Sequence, residues 1–212
     1  NFRKNGYKTA CIGKWHLGED VGHGRDWDYS VIWDRMGPKK NRSAYYKNTL
    51  VRYNGGDRVP LGGYSTDRYT ELAVDYIQNK SREDEKPWFL WLCYGGVHGP
   101  YTEADRHNRM YADAPATGIP SDIFGPRPGK PKHLVNYGKW EKDKHGKPKE
   151  FDKRVKKYNR AVAALDEGVG KLIEALTKSG QLENTLVVYT SDQGFAWGQH
   201  GCKEKWMGYD AN

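Results

Sequence analysis

GYKTACIGKWHLG, residues 6–18, contains a short apolar run, Ala10-Cys11-Ile12, that ends in Gly13 and at once delivers Lys14, Trp15 and His16. Thr9 to Trp15 reads as a short strand. In extended chain, residues i and i+2 point to the same side, so Lys14 and His16 could reach one target together. The alternative is a strand end followed by a solvated turn. The choice rests on what the other strands carry at their ends.

Those strands are legible from periodicity. "TDRYTELAVDYIQN", 66–79, puts Tyr69, Leu72, Ala73, Tyr76 and Ile77 on one helical face, with Thr66 as the expected N-cap. "PWFLWLCY", 87–94, is a continuous apolar run, the pattern of a strand covered on both faces. From Val155, the residues Tyr158, Val162, Leu165, Val169, Leu172 and Leu176 follow at steps of three and four. This predicts an amphipathic helix closed near Gly180. Gly168 and Gly170 each weaken it by roughly 1 kcal/mol against alanine, so tertiary packing has to hold it. "LVVYT", 186–190, then reads as a buried strand. Alternating helices and strands predict an α/β fold with a mostly parallel central sheet flanked by helices. Residues 101–153 have little periodicity and many Pro and Gly, and read as a long basic insertion within one domain spanning 1–212.

The composition narrows the function classes. Eight Trp and fifteen Tyr in 212 residues argue for a packed globular fold. No apolar run approaches the roughly 20 residues needed to span a bilayer. Cys11, Cys93 and Cys202 are too few and scattered for a disulfide framework or a thiolate metal site. Between Pro126 and Lys157, twelve lysines and arginines face four acids, which accounts for the whole net charge of +8. Such a segment is either an anion-attracting arm or a solvated insertion. It carries no zinc-finger, RNP-type or helix-turn-helix signature, so no nucleic-acid partner is expected.

In open α/β sheets, ligands bind beyond the carboxyl ends of the strands. The first predicted strand ends in "GKWH", the second in "GGVHGP" with His98, and the third in "SDQG" with Asp192 and Gln193. Each polar group alone suits a turn; three at corresponding ends point to a shared ligand. Asp192 and Gln193 offer hard oxygens, suited to Ca²⁺ or Mg²⁺. Lys14, His16, His98 and Lys205 add donors and positive charge. A hard cation ringed by such groups suits a tetrahedral oxyanion, a sulfate or phosphate ester.

In "GYKTACIGKWHLG", "KPWFLWLCYGGVHGP", "YNRAVAALDEGVGKLIEALTKSGQLENTLVVYTSDQG" and "GQHGCKEKWMGYD", taken in order, the chain resembles the sulfatase family of the alkaline-phosphatase superfamily. The resemblance implies that Lys14 and Lys205 bind sulfate oxygens, that His16 contacts the nucleophile, and that His98 assists the leaving-group oxygen. It also implies that Asp192 and Gln193 hold Ca²⁺. The family has Asn where Gln193 stands, and the extra methylene shifts the amide oxygen. The family's nucleophile is a formylglycine made in a Cys/Ser-x-Pro-x-Arg motif. None of Cys11, Cys93 or Cys202 lies in one, so the formylglycine is expected upstream and the chain as the central part of a sulfatase, not active alone. The substrate implied is a sulfated small molecule or polysaccharide, and the compartment implied is periplasmic or extracellular. Two further readings stand beside it: a phosphodiesterase or phosphonate hydrolase on the same scaffold, and a non-catalytic binder of sulfated polyanions through the basic arm.

Overall fold

The computed structural model describes residues 1–17, 23, 25–35, 39–80, 82, 85–127, 129–135 and 137–205. Gly18 and Trp206 to Asp210, which belong to the quoted motifs, lie outside the described residues. The chain forms two compact units. One holds Asn1–Met110 and Lys157–Thr185; the other holds Tyr111–Lys156 and the chain from Leu186 onward.

The first unit is built on β1 (Lys8–Gly13), β2 (Tyr29–Trp33), β3 (Leu50–Tyr53), β4 (Arg58–Pro60), α1 (Ser65–Ile77) and β5 (Trp88–Cys93). The strands form one sheet in the order β4-β3-β2-β1-β5. β1 pairs in parallel with both β2 and β5, with Ala10 opposite Tyr29 and Leu90. β3 and β4 extend the sheet antiparallel. The α/β expectation holds, but the sheet is mixed: the parallel part is β2-β1-β5, and the short antiparallel strands lack the long apolar runs that would have announced them.

β1 is buried on both faces because it is central. Ile12 packs with Val31, Tyr69 and Ala73 beneath α1, while Cys11 on the opposite face joins Trp27 and Ile32. Burial also pushes the Cys11 thiol well above the ordinary cysteine range, with a smaller contribution from Cys93. β5 departs from expectation. It is an edge strand among the described residues, and Trp91 is 47% exposed, so its apolar run is not covered on both faces.

α1 buries Tyr69, Ala73, Tyr76 and Ile77 as predicted. Its N-cap is Tyr64, not Thr66, and no side chain caps it. Thr66 is instead buried, and the neighbouring Ser65 hydroxyl donates to the Tyr45 carbonyl at 2.5 Å. The long helix α2 (Phe151–Lys178) starts before the predicted Val155. It ends as expected: Gly180 takes φ 68°, with Gln181 N donating to Leu176 O at 2.9 Å. Its buried seam runs through Ala161, Ala164, Leu165, Ala175 and Leu176, while Val162 on the predicted stripe is exposed. Small residues win there because α2 approaches its neighbours closely. A Cβ on Gly168 would sit 2.7 Å from Thr70 Oγ1, the hydroxyl that hydrogen-bonds Tyr94 at 2.8 Å. Gly168→Ala is therefore expected to destabilise by about 1–3 kcal/mol in denaturant titration. Gly170→Ala, with open space around it, is expected to stabilise by up to ~1 kcal/mol.

The second unit has its own aromatic core. Trp140 and Phe151 pack at 5.1 Å, with Ile123 and Trp197 against them. Its regular strands are β6 (Ala196–Trp197) and β7 (Lys203–Glu204), an antiparallel pair. The predicted strand at 186–190 is not one. These residues carry no strand assignment, and Leu186 is 89% and Val188 73% exposed. The apolar pattern marks a β-prone segment, but a strand requires ladder partners, and none is assigned to it among the described residues.

Candidate active site

The six residues singled out from the sequence divide three and three. Lys14, His16 and His98 belong to the first unit; Asp192, Gln193 and Lys205 belong to the second.

In the first unit, everything begins at Gly13. With φ 106° it lies where L side chains rarely go, and a Cβ there would fall 1.9 Å from the Cys93 carbonyl oxygen. β1 therefore ends one residue before Lys14, whose N–H donates to that same carbonyl at 2.8 Å. This joins the carboxyl ends of β1 and β5 and aligns Lys14 with the loop carrying His98. His16 follows with φ 63° and is exposed. The alternation expected to aim Lys14 and His16 together does not extend through this turn, because the extended chain has already ended. Trp15 packs edge-on against Trp27 at 5.9 Å.

Lys14 and His98 meet on Tyr45. The ammonium lies 5.6 Å from the Tyr45 ring centroid, and the imidazole stacks on the same ring at 4.1 Å and 5°. His98 Nδ1 is 2.8 Å from the Gly99 carbonyl oxygen, which only accepts, so Nδ1 carries a proton there. Nε2, the other ring nitrogen, lies 3.4 Å from the Tyr45 hydroxyl. Tyr46 holds the backbone from the other side, its hydroxyl donating to the His98 carbonyl at 2.5 Å. Burial raises the Tyr46 phenol far above its ordinary range, so it stays a neutral donor. Gly95 is required beside it, since a Cβ would stand 2.7 Å from the Tyr45 carbonyl.

Tyr45 and Tyr46 were missed at the sequence level. They sit in an unpatterned connection between β2 and β3 whose organiser is Asn41, fully buried. Its side-chain oxygen accepts from Leu50 N at 2.9 Å and from Trp33 Nε1 at 3.1 Å. The available signal was the pairing of two aromatics in a polar stretch, "SAYYKN".

In the second unit, Asp192 and Gln193 stand side by side in exposed chain, where the Ser191 hydroxyl donates to the Gln193 carbonyl at 2.8 Å. Their side-chain oxygens have the hard donor chemistry of a Ca²⁺ site. No cluster of three or more His, Cys, Asp or Glu suited to a metal occurs among the described residues, so these two would be part of a larger ligand set. Lys205 follows β7 and is half-buried.

The β6–β7 turn leading to Lys205 is held by Arg127, which the sequence suggested as part of a solvated arm. It is 8% exposed. Nη1 donates to the carbonyls of Leu134, at 2.5 Å, and Tyr137; Nη2 donates to those of Gly138 and Gly201 at 2.9 and 2.7 Å. Gly138 O also accepts from Lys203 N at 2.6 Å. Asp122 adds a bond from His200 N at 2.8 Å. Arg127→Met would remove the guanidinium bonds to all four carbonyls, leaving Gly138 O its bond from Lys203 N, and is expected to cost about 2–3 kcal/mol, read in urea unfolding followed by tryptophan fluorescence.

The first unit's site has the features of an α/β oxyanion centre: a lysine and an oriented imidazole beyond the carboxyl ends of adjacent parallel strands. The chain belongs to the sulfatase family, whose model matches residues 1–212. It is 25% identical over 266 aligned residues to the N-acetylglucosamine-6-O-sulfatase of Bacteroides thetaiotaomicron, covering 99% of this chain and 46% of that protein. It is 28% identical to the human iduronate 2-sulfatase, covering 99% of this chain and 42% of that protein. The fold is similar to that of a protein solved in complex with its substrate D-glucosamine-2-N,6-O-disulfate: TM-score 0.80 at 23% identity, covering 99% of this chain and 52% of that one. The chain thus spans about half the length of the proteins it matches.

Proposed function

We propose that the protein containing this chain hydrolyses sulfate esters of a sugar or sulfated polysaccharide. The observation that carries the reading is the convergence of Lys14 and His98 on Tyr45 at the joined ends of β1 and β5. Lys14 would hold sulfate oxygens and stabilise the charge that grows on them as the ester bond breaks, the role the resemblance also gives Lys205. His98, with Nδ1–H committed to Gly99, would deliver a proton from Nε2 to the departing alcohol oxygen. His16 would contact the nucleophile, a formylglycine supplied by upstream sequence. Ca²⁺, or Mg²⁺, held in part by the Asp192 carboxylate and the Gln193 amide oxygen, would supply Lewis-acid charge. The relatives' names, N-acetylglucosamine-6-O-sulfatase and iduronate 2-sulfatase, support a sugar sulfate as substrate.

The test compares turnover of an aryl sulfate and an aryl phosphodiester by the complete protein. A sulfate preference is expected; a strong phosphodiester preference would replace the reading with the phosphodiesterase alternative.

A further inference from the structure

The basic segment is an ordered element. Lys142 pairs antiparallel with Pro148; Asp143 N donates to Lys147 O and Lys149 N to Glu141 O, each at 2.8 Å. The turn at its tip is closed by Asp143, whose Oδ1 accepts from His145 N at 2.8 Å and Lys147 N at 2.9 Å. These backbone bonds, Lys147 before His145, hold the Asp143 carboxyl below its ordinary range. Both ends of the hairpin are pinned: Trp140 lies at its start and Phe151 follows it, each buried in the core of the second unit.

This hairpin presents Lys139, Lys142, Lys144, Lys147 and Lys149, all exposed, against two acids. Those acids do little to neutralise it. Asp143 is spent on the turn, and Glu141 lies 3.5 Å from Lys149 in a solvent-exposed pair. Neither Lys144 nor Lys147 forms a close ion pair among the described residues, although the Lys147 charge acts on Asp143. They project from a tight turn closed by the Lys142–Pro148 bridge. The hairpin contains none of the six residues assigned to ester cleavage.

We propose that the hairpin 139–149 is a binding surface for a polymeric sulfated glycan, engaging sulfates other than the one being cleaved. The inference rests on the sulfatase reading for the choice of ligand. A substrate polymer bearing many sulfates would gain affinity from a second cationic contact tethered to the same protein. Single-stranded nucleic acid is the less fitting polyanion, because such sites interleave cations with exposed aromatic stacking platforms. The hairpin's one Phe, Tyr or Trp, Trp140, is buried.

The experiment uses the complete protein, with heparin as the polymer and an aryl sulfate as the small substrate. The variant K142Q/K144Q/K147Q/K149Q is compared with K4Q/K86Q/K171Q/K178Q, which removes the same charge from exposed positions elsewhere. The hairpin variant is expected to bind heparin about tenfold more weakly, with a flatter salt dependence. Its aryl sulfate turnover should be unchanged, and the control variant should bind heparin nearly as the parent does. Equal loss in both variants would overturn the proposal, since net charge alone would then explain binding. So would unchanged binding in the hairpin variant, or tighter binding of an oligonucleotide than of heparin. Hairpin-dependent heparin binding without any aryl sulfate turnover would sink the hydrolase reading and leave the hairpin's role standing.

Discussion

Gly13→Ala is expected to abolish folding of the first unit, or to lower its stability by more than about 4 kcal/mol. Two costs combine at this position. The backbone sits at φ 106°, strained for any residue with a Cβ, and the new carbon would lie 1.9 Å from the Cys93 carbonyl oxygen. That oxygen is backbone and cannot swing aside as a flexible side chain could. Relief requires separating β1 from β5, which breaks the Lys14 N–Cys93 O bond and disturbs the parallel register from Lys8–Trp88 to Gly13–Cys93. Expression with denaturant unfolding of the complete protein checks this. A variant within 1 kcal/mol of the parent would mean that the strands do not approach this closely.

His98→Gln is expected to lower kcat by about 10²–10⁴-fold for sulfates with poor alcohol leaving groups, and far less for activated aryl sulfates. The difference arises because a good leaving group departs without a proton, so only the poor one misses Nε2. Lys14→Ala should cost about 10²–10³-fold whatever the leaving group, since the charge on the sulfate oxygens develops in either case. Tyr45→Phe retains the ring on which both groups rest and removes only the hydroxyl 3.4 Å from Nε2, so its effect should stay below about tenfold. If His98→Gln slows activated and unactivated esters equally, His98 is not the proton donor and the assigned role falls.

The same data separate what pattern reveals from what packing decides. β1, β5, α1 and the end of α2 were readable because each has a run or period long enough to rise above chance. β3 and β4 were not: Leu50–Tyr53 and Arg58–Pro60 are too short and too polar to carry a period, and they exist because β2 offers β3 an edge and β3 in turn offers one to β4. Leu186–Thr190 shows the reverse error. Its residues favour extended chain, yet propensity cannot supply a ladder partner. Arg127 and the lysines around it look alike as a charge count. Only folding separates a guanidinium buried among four carbonyls from the ammonium groups exposed on the hairpin.

The sequence alone determined the α/β class, the main helices and the parallel strands β1 and β5, because burial periodicity is a local property written into each segment. Through its ordered motifs it also determined the resemblance to sulfatases, which the family match over 1–212 bears out. The tertiary structure decided the rest: the antiparallel half of the sheet, the exposed face of β5, the turn at Gly13, and the Tyr45 platform that unites Lys14 with His98. Each of these depends on two segments distant in sequence meeting at a particular distance. A local pattern records that a residue prefers burial, but it does not record which partner covers it.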